Sequence, residues 1–409
     1  MKDVLAVLLA GGMGERLYPL TKHRAKPAVP FGGMYRIIDF SLSNCMNSGL
    51  RRIHVLVQYK SNSLVRHIRQ AWNVMRPEYG EYVDIIPPQM RVNDSWYRGT
   101  ADAIYQNLYS IDQEAPRRVL ILSGDHIYKM DYDKMLEFHE QSGADLTMAA
   151  IEVPVSDGYR FGIVEVDKGN RVVGFEEKPA EPMPVPAKPT MAFASMGVYV
   201  FNTDVLKDVV LKDAERNSAH DFGKNIVPGM IRDYRVFAYN FQDENRKTAK
   251  YWRDVGTIDA YWESNMDLVA VDPLFNLYDK AWPIRTYMPQ LPPAKFVFAD
   301  TGQRFGVAVD SIVGSGSIVS GGMVRDSVLS PEVRVNSYSS VEECILMDRV
   351  NVGRHVRLRR AIVEKGVDIP EGAVIGYDLE EDAKYYRVTE KGVVVVESTD
   401  KHRQNPHLS

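Results

Sequence analysis

Glycines at positions 11, 12 and 14 and an arginine at 16 follow the apolar run Val4–Ala10, and these residue types in this order suit the holding of a polyphosphate. Glycines placed directly after a buried strand let the backbone approach an anion with its N–H groups pointing at it. Arg16 adds a planar donor fork that matches phosphate oxygens. A dinucleotide fingerprint would need a third glycine where Leu17 stands, and a P-loop would end in Gly-Lys-Ser/Thr, which is missing. The plain alternative is a tight strand-to-helix turn with no ligand.

Phosphoryl chemistry spreads negative charge over non-bridging oxygens, so it calls for cations. The candidates are Arg16, Lys22, Arg24, Lys26 and, far along the chain, Lys178 in Phe175-Glu176-Glu177-Lys178. Pro27 biases Lys26 toward an extended conformation and so aims its ammonium. Asp125 after Gly124, and Asp254 after Tyr251-Trp252-Arg253, are carboxylates of the kind that hold Mg²⁺, a hard cation bound through oxygen. Each has a bland counterpart: a turn or cap for either Asp, a solvated charge run for Lys178, a structural role for His126. Trp96 to Ala103 reads as aromatics, a glycine turn and Thr100 as the N-cap of an amphipathic helix. No nucleophilic Ser or Cys stands out.

Composition bounds what such residues can serve. A chain of 409 residues with 45% hydrophobic and 25% charged residues reads as a globular protein of two domains. A net charge of −4 offers nucleic acid no general attraction. No apolar run nears the roughly 20 residues of a membrane span. Lys2 before the apolar run raises the question of a secretory leader, but Asp3 and the charged Gly14-Glu15-Arg16 argue against one. Two cysteines, Cys45 and Cys344, make neither a disulfide framework nor a metal spacing, and a cytoplasmic location is expected.

The elements that must position these groups follow two grammars. Residues 1–272 alternate buried runs (Val4–Ala10, Ile53–Gln58, Val119–Ser123) with helical spacings (Val65, Ile68, Trp72; then Ala101, Ile104, Leu108, Ile111). That alternation predicts a mostly parallel sheet flanked by helices, with ligands at the carboxyl ends of its strands. Residues 273–299 carry five prolines between Pro273 and Pro293 and read as a linker or docking segment. A second proline-rich stretch, 179–189, reads as a surface loop. Over 300–409, Ile312, Ile318 and Val324, then Val350, Val356 and Ile362, then Ile369 and Ile375, recur every six residues. This period predicts rows of a parallel β-helix; Ser339 and several offsets spoil a perfect repeat, so the coil is expected to carry loops, and an antiparallel sandwich is the alternative.

Taken together, the segments resemble the ADP-glucose pyrophosphorylase (glucose-1-phosphate adenylyltransferase) family over almost the whole chain. The shared nucleotidyltransferase signature is similar to Leu9-Ala10-Gly11-Gly12-x-Gly14-x-Arg16-Leu17 and Arg24-Ala25-Lys26-Pro27-Ala28. More discriminating are Phe31-Gly32-Gly33-x-Tyr35-Arg36-Ile37-Ile38-Asp39-Phe40, Trp96-Tyr97-Arg98-Gly99-Thr100-Ala101-Asp102-Ala103, Ser123-Gly124-Asp125-His126-Ile127-Tyr128 and Tyr251-Trp252-Arg253-Asp254-Val255-Gly256-Thr257. The resemblance implies a Rossmann-like nucleotidyltransferase domain joined to a left-handed β-helix for regulation and oligomerisation. It implies the reaction of ATP with glucose 1-phosphate to give ADP-glucose and pyrophosphate for glycogen synthesis.

Carried over by position, the resemblance makes Arg16, Lys26 and Asp125 catalytic, and Asp125 with Asp254 the Mg²⁺ ligands. ATP contacts would come from Leu9, Ala10, Gly11, Gly12, Gly14, Gln58, Tyr97, Gly99 and Thr100, with Trp96 in the same loop. Glucose 1-phosphate would meet Tyr97, Gly162, Glu177, Lys178 and Ser195. The family is tetrameric and regulated by metabolites, so a homotetramer and a small anionic effector are implied, with His23, Arg24, Arg36 and Arg354 as effector residues. His23 stands where bacterial members place an effector-binding lysine, and the chain opens almost at its first strand. Activation by an anion other than a sugar bisphosphate is therefore expected, strengthening as pH falls, because neutral histidine holds an anion less firmly than lysine does. Three rivals remain: a sugar nucleotidyltransferase using UTP, dTTP or CTP, a regulatory subunit without turnover, and, weaker, acyl transfer on the β-helix, where the coil offers only His355 as a base.

Overall fold

Seven consecutive residues, Val4–Ala10, are almost wholly buried because their strand lies in the middle of a sheet, with neighbours on both edges. The computed structural model describes residues 3–89, 96–186, 188–300 and 304–397. The described chain forms two units. The first comprises Met1–Gly12, Phe40–Trp252 and Trp282–Ile284; the second comprises Met13–Asp39, Arg253–Ala281 and Arg285–Ser409.

The first unit is built on nine strands: β1 Val4–Ala10, β2 Arg52–Val57, β3 Tyr82–Ile86, β4 Arg118–Ser123, β5 Leu146–Pro154, β6 Gly162–Val166, β7 Val172–Glu177, β8 Met191–Asn202 and β9 Val236–Asn240. Their order is β7-β6-β8-β4-β1-β2-β3, with β5 beside β8 and β9 beside β5. Strands β1 to β4 run parallel, whereas β8 is antiparallel to β4, β5 and β6. The carboxyl ends of β1 and β4 thus deliver Gly11 and Asp125 to the same edge of the sheet. Strand β8 changes register between Ser195 and Tyr199, where Gly197 takes φ 66°. Such a bulge turns a side chain out of the ladder, and here it lies beside Ser195.

Two expectations need correction in this unit. Ala101, Ile104, Leu108 and Ile111 do not share one helix: the chain breaks at Asn107 into Thr100–Gln106 and Leu108–Glu114. The Asn107 amide turns back to the Ala103 carbonyl at 2.7 Å and also donates to the Tyr97 hydroxyl at 2.9 Å. Thr100 is not the N-cap. Gly99 caps that helix and Thr100 is its first residue. The proline-rich stretch after 273 is docked in part, since Trp282 is buried and its indole N–H donates to Asn44 at 2.9 Å. Both thiols are buried; burial pushes Cys45 well up and Cys344 to about 12.

The second unit centres on a coil of short parallel strands, a left-handed β-helix. Ile312 aligns with Val328, Val328 with Ile345, and Ile345 with Ile362, so one coil takes 16 or 17 residues. The antiparallel sandwich is excluded. The six-residue spacing counts faces, not stacked rows: Ile312, Ile318 and Val324 lie on strands of three different sheets. Each face sends one apolar side chain inward, as with Val335, Val341, Leu346, Val352 and Leu358, all fully buried. The corners need a left-handed residue, which Glu332 and Arg349 supply at one column and Tyr338 and His355 at another. A loop interrupts the coil late: Ala361–Val363 pairs with Val394–Val396, leaving the helix Leu379–Asp382 in the intervening chain. Helix Ile258–Val269, capped by Thr257, packs on the coil through Trp262, whose indole donates to the Glu343 carbonyl at 2.9 Å.

Candidate active site

Of the glycine loop, Gly11 and Gly12 belong to the first unit, Gly14 and Arg16 to the second. A Cβ on Gly11 would lie 3.1 Å from Gln58 Cβ, whereas one on Gly12 would meet nothing within 4 Å. Gly12 thus leaves its backbone open to a ligand. Buried Gln58 reaches the Tyr97 carbonyl at 3.4 Å. Trp96 stacks on Tyr59 with centroids 5.2 Å apart, and burial pushes the Tyr97 phenol up. At the end of β4, Ser123 Oγ donates to Asp125 Oδ1, and His126 Nε2 lies 3.5 Å from the same oxygen. The His126 ring meets Trp252 edge-on at 5.1 Å, and Trp252 also contacts Phe161 at 5.5 Å.

Across the sheet of the same unit, Glu177 ends β7 and Lys178 follows with φ 52°, its N–H donating to the Phe161 carbonyl at 3.0 Å. Lys178 Nζ sits 3.4 Å from Glu177 Oε1, and its side chain is 57% exposed, free to meet a phosphate. A Cβ on Gly162 would come within 2.8 Å of Glu177 Oε2, so glycine there keeps room for that carboxylate. Ser195 lies close enough to hydrogen-bond Tyr199, whose phenol burial pushes up to about 12 with help from Asp221 and Glu177. Asp221 and Tyr199 were not singled out from sequence. Asp221 accepts from Thr100 Oγ1 at 3.0 Å, across 121 residues, and no local pattern signals that pairing.

In the second unit, Gly14 takes φ 64°, and a Cβ there would press on Thr21 and Lys26. Thr21 Oγ1 donates to the Gly14 carbonyl at 2.9 Å. Lys26 is not extended; it opens the short 3-10 turn Lys26–Ala28 after an extended Ala25. Its ammonium, only 9% exposed along the side chain, donates to Asp254 Oδ1 at 2.9 Å. A buried ammonium requires such a partner. Arg16 is exposed, and its Nη2 and the Asp254 carboxylate both border Gly256: a Cβ there would lie 3.1 Å and 3.0 Å from them. Arg16, Lys26 and Asp254 therefore converge.

Two family models match the chain: a nucleotidyl transferase over residues 5–270 and a GlmU-like, C-terminal hexapeptide over residues 292–396. A glucose-1-phosphate adenylyltransferase of Koribacter versatilis is 59% identical, over 99% of this chain and 98% of its own length. Proteins of the same name from Rhodopirellula baltica and Methylococcus capsulatus are 56% and 53% identical, over 97% of this chain and 90% and 93% of theirs. The chain belongs to the glucose-1-phosphate adenylyltransferase family. It is a nucleotidyltransferase.

The effector residues named by resemblance to this family all lie in the second unit. His23 is exposed. Arg24 is buried and held by both carboxylate oxygens of Glu364, at 2.7 and 2.8 Å. Arg36 has its Nη2 3.8 Å from Asp348, which also takes a hydrogen bond from Lys365. Arg354 lies 5.7 Å from the centre of the Tyr338 ring, and Tyr338 stacks on His355 at 4.9 Å. Lys365 was not foreseen. Burial, then the charges of Arg36 and Arg24, lower its pKa to about 8, against the gain from Asp348. An ordinary lysine titrates near 10.5, so the unfolded chain binds more protons between those values and folding stability rises with pH there. Denaturant midpoints of wild type and Lys365→Met should therefore diverge from about pH 8 to 10.5, the wild type gaining. Parallel curves would contradict the shift.

No helix of the described residues is long and apolar enough to cross a membrane.

Proposed function

We propose that this chain joins ATP to glucose 1-phosphate, giving ADP-glucose and pyrophosphate by a single in-line displacement. The observation that carries the reading is kinship of 51–59% over nearly the whole chain with proteins of that name. The glucose 1-phosphate oxygen attacks the α-phosphorus; the bond from that phosphorus to the bridging oxygen breaks, and the electron pair leaves with pyrophosphate. Two anions must first meet, so holding them in line beside cations removes most of the barrier.

Arg16 and the backbone of Gly11, Gly12 and Gly14 hold the departing phosphates. Lys26 exchanges Asp254 for the α-phosphate oxygens as charge grows there. Lys178 grips the sugar phosphate, while Glu177, Ser195 and Gly162 fit the hexose. Leu9, Ala10, Gln58, Tyr97, Gly99 and Thr100 receive the nucleoside, Tyr97 facing both substrates. Asp125 and Asp254 would offer the hard oxygen donors that Mg²⁺ prefers. Bound there, Mg²⁺ would neutralise phosphate charge and polarise the α-phosphoryl group.

This reading takes 1–272 as the catalytic domain, 273–299 as connector and 300–409 as the regulatory and oligomerising β-helix. It also takes the protein as a cytoplasmic homotetramer of glycogen synthesis. The anionic effector would meet His23, Arg36 and Arg354, with Arg24 taking part once released from Glu364. A chiral α-thiophosphate analogue of ATP tests the displacement. The product should show inversion at phosphorus; retention would require a covalent enzyme intermediate and overturn the mechanism.

A further inference from the structure

The loop assigned to ATP and the pocket assigned to the hexose are tied by a polar brace that takes no part in either contact. Asp213 and His220, 6% and 3% exposed, pair through Nδ1 at 2.8 Å. Ser218 Oγ closes the ring, donating to the other Asp213 oxygen at 2.8 Å and accepting from the His220 N–H at 3.0 Å. This ring holds His220 at φ 51°, a left-handed conformation that a residue with a Cβ adopts only at a cost. The strained backbone then has two consequences. The His220 carbonyl accepts from the Ala101 N–H at 2.8 Å, one of the free donors at the start of helix Thr100–Gln106. The next residue, Asp221, takes the Thr100 hydroxyl at 3.0 Å, while the Phe222 N–H donates to that hydroxyl at 3.0 Å. Gly99 fits only because it lacks a Cβ, which would collide with the carbonyl oxygens of Ala219 and His220.

On the other side, Asp221 contributes to the field at the Tyr199 phenol together with Glu177, and Phe222 stacks on Tyr199 at 5.5 Å. One short segment, 218–222, therefore fixes the first turn after the Trp96–Gly99 loop and the wall of the Glu177–Ser195–Tyr199 pocket. From this geometry we infer that His220, locked by Asp213 and Ser218, is a positioning residue that couples the affinities for ATP and glucose 1-phosphate. The inference rests on the substrate assignments made above.

The test measures glucose 1-phosphate binding by calorimetry with and without saturating α,β-methylene-ATP, whose bridge cannot be cleaved. In the wild type the nucleotide analogue should tighten the sugar phosphate about fivefold or more, within the usual range of couplings between sites. His220→Ala should bring that ratio close to one and raise KM for both substrates more than it lowers kcat. His220→Asn should restore the coupling, since asparagine tolerates the left-handed backbone and offers a donor toward Asp213. Should His220→Ala not fold, Ser218→Ala loosens the same ring and should reduce the ratio partially. No coupling in the wild type, or full coupling in His220→Ala or in Ser218→Ala, overturns the inference. Glu177→Gln and Tyr97→Ala separate it from the substrate assignments: if neither raises a KM, the assignments fail; if they do and His220→Ala leaves the ratio intact, only the brace fails.

Discussion

Asp125→Asn should lower kcat by at least about 10²–10³, the scale of losing one transition-state stabiliser, while the protein stays folded. Asparagine keeps the oxygen that accepts from Ser123 Oγ and that faces His126 Nε2, so the end of β4 retains its local bonds. What is lost is the full negative charge available to a cation. KM for glucose 1-phosphate should change little, because none of its assigned contacts, Tyr97, Gly162, Glu177, Lys178 and Ser195, lies on β4 or the turn after it. Steady-state pyrophosphate release, with circular dichroism to confirm folding, measures this. Near-wild-type turnover of a folded variant would contradict the role given to Asp125.

Arg24→Met should cost the second unit about 3–5 kcal/mol in a denaturant titration, because Glu364 would be left as a buried charge without its fork. Both side chains are roughly nine-tenths buried, and the pair spans 340 residues of chain. Replacing both, in Arg24→Met with Glu364→Met, should recover most of that loss, since an apolar pair of similar volume avoids the desolvation of two ions. A single variant as stable as the wild type would show that the pair contributes nothing to folding. Under the proposed effector role, an anion that draws Arg24 away would have to compete with a bidentate carboxylate already in place.

Several parts of this molecule were legible in the chain because their causes are local. The run Val4–Ala10 is apolar throughout because its strand is covered on both faces, and it ends in glycines because the backbone turns there. The six-residue period is the width of one face of the coil. Other features depend on partners far along the chain. Nothing near Thr100 indicates that Asp221 takes its hydroxyl and leaves Gly99 as the cap. Nothing near Asn107 tells that its amide will serve Tyr97 and break the helix. The assignment of Ile312, Ile318 and Val324 to one row failed because period alone does not say whether neighbours stack or follow each other round the coil.

The most direct test is product formation by the pure protein with glucose 1-phosphate and each of ATP, UTP, dTTP and CTP in the presence of Mg²⁺. ADP-glucose and equimolar pyrophosphate should form from ATP, with kcat/KM at least about tenfold above every other nucleotide, a preference of roughly 1.4 kcal/mol. Equal or faster turnover with another nucleotide, or no pyrophosphate from any of them, would contradict the account.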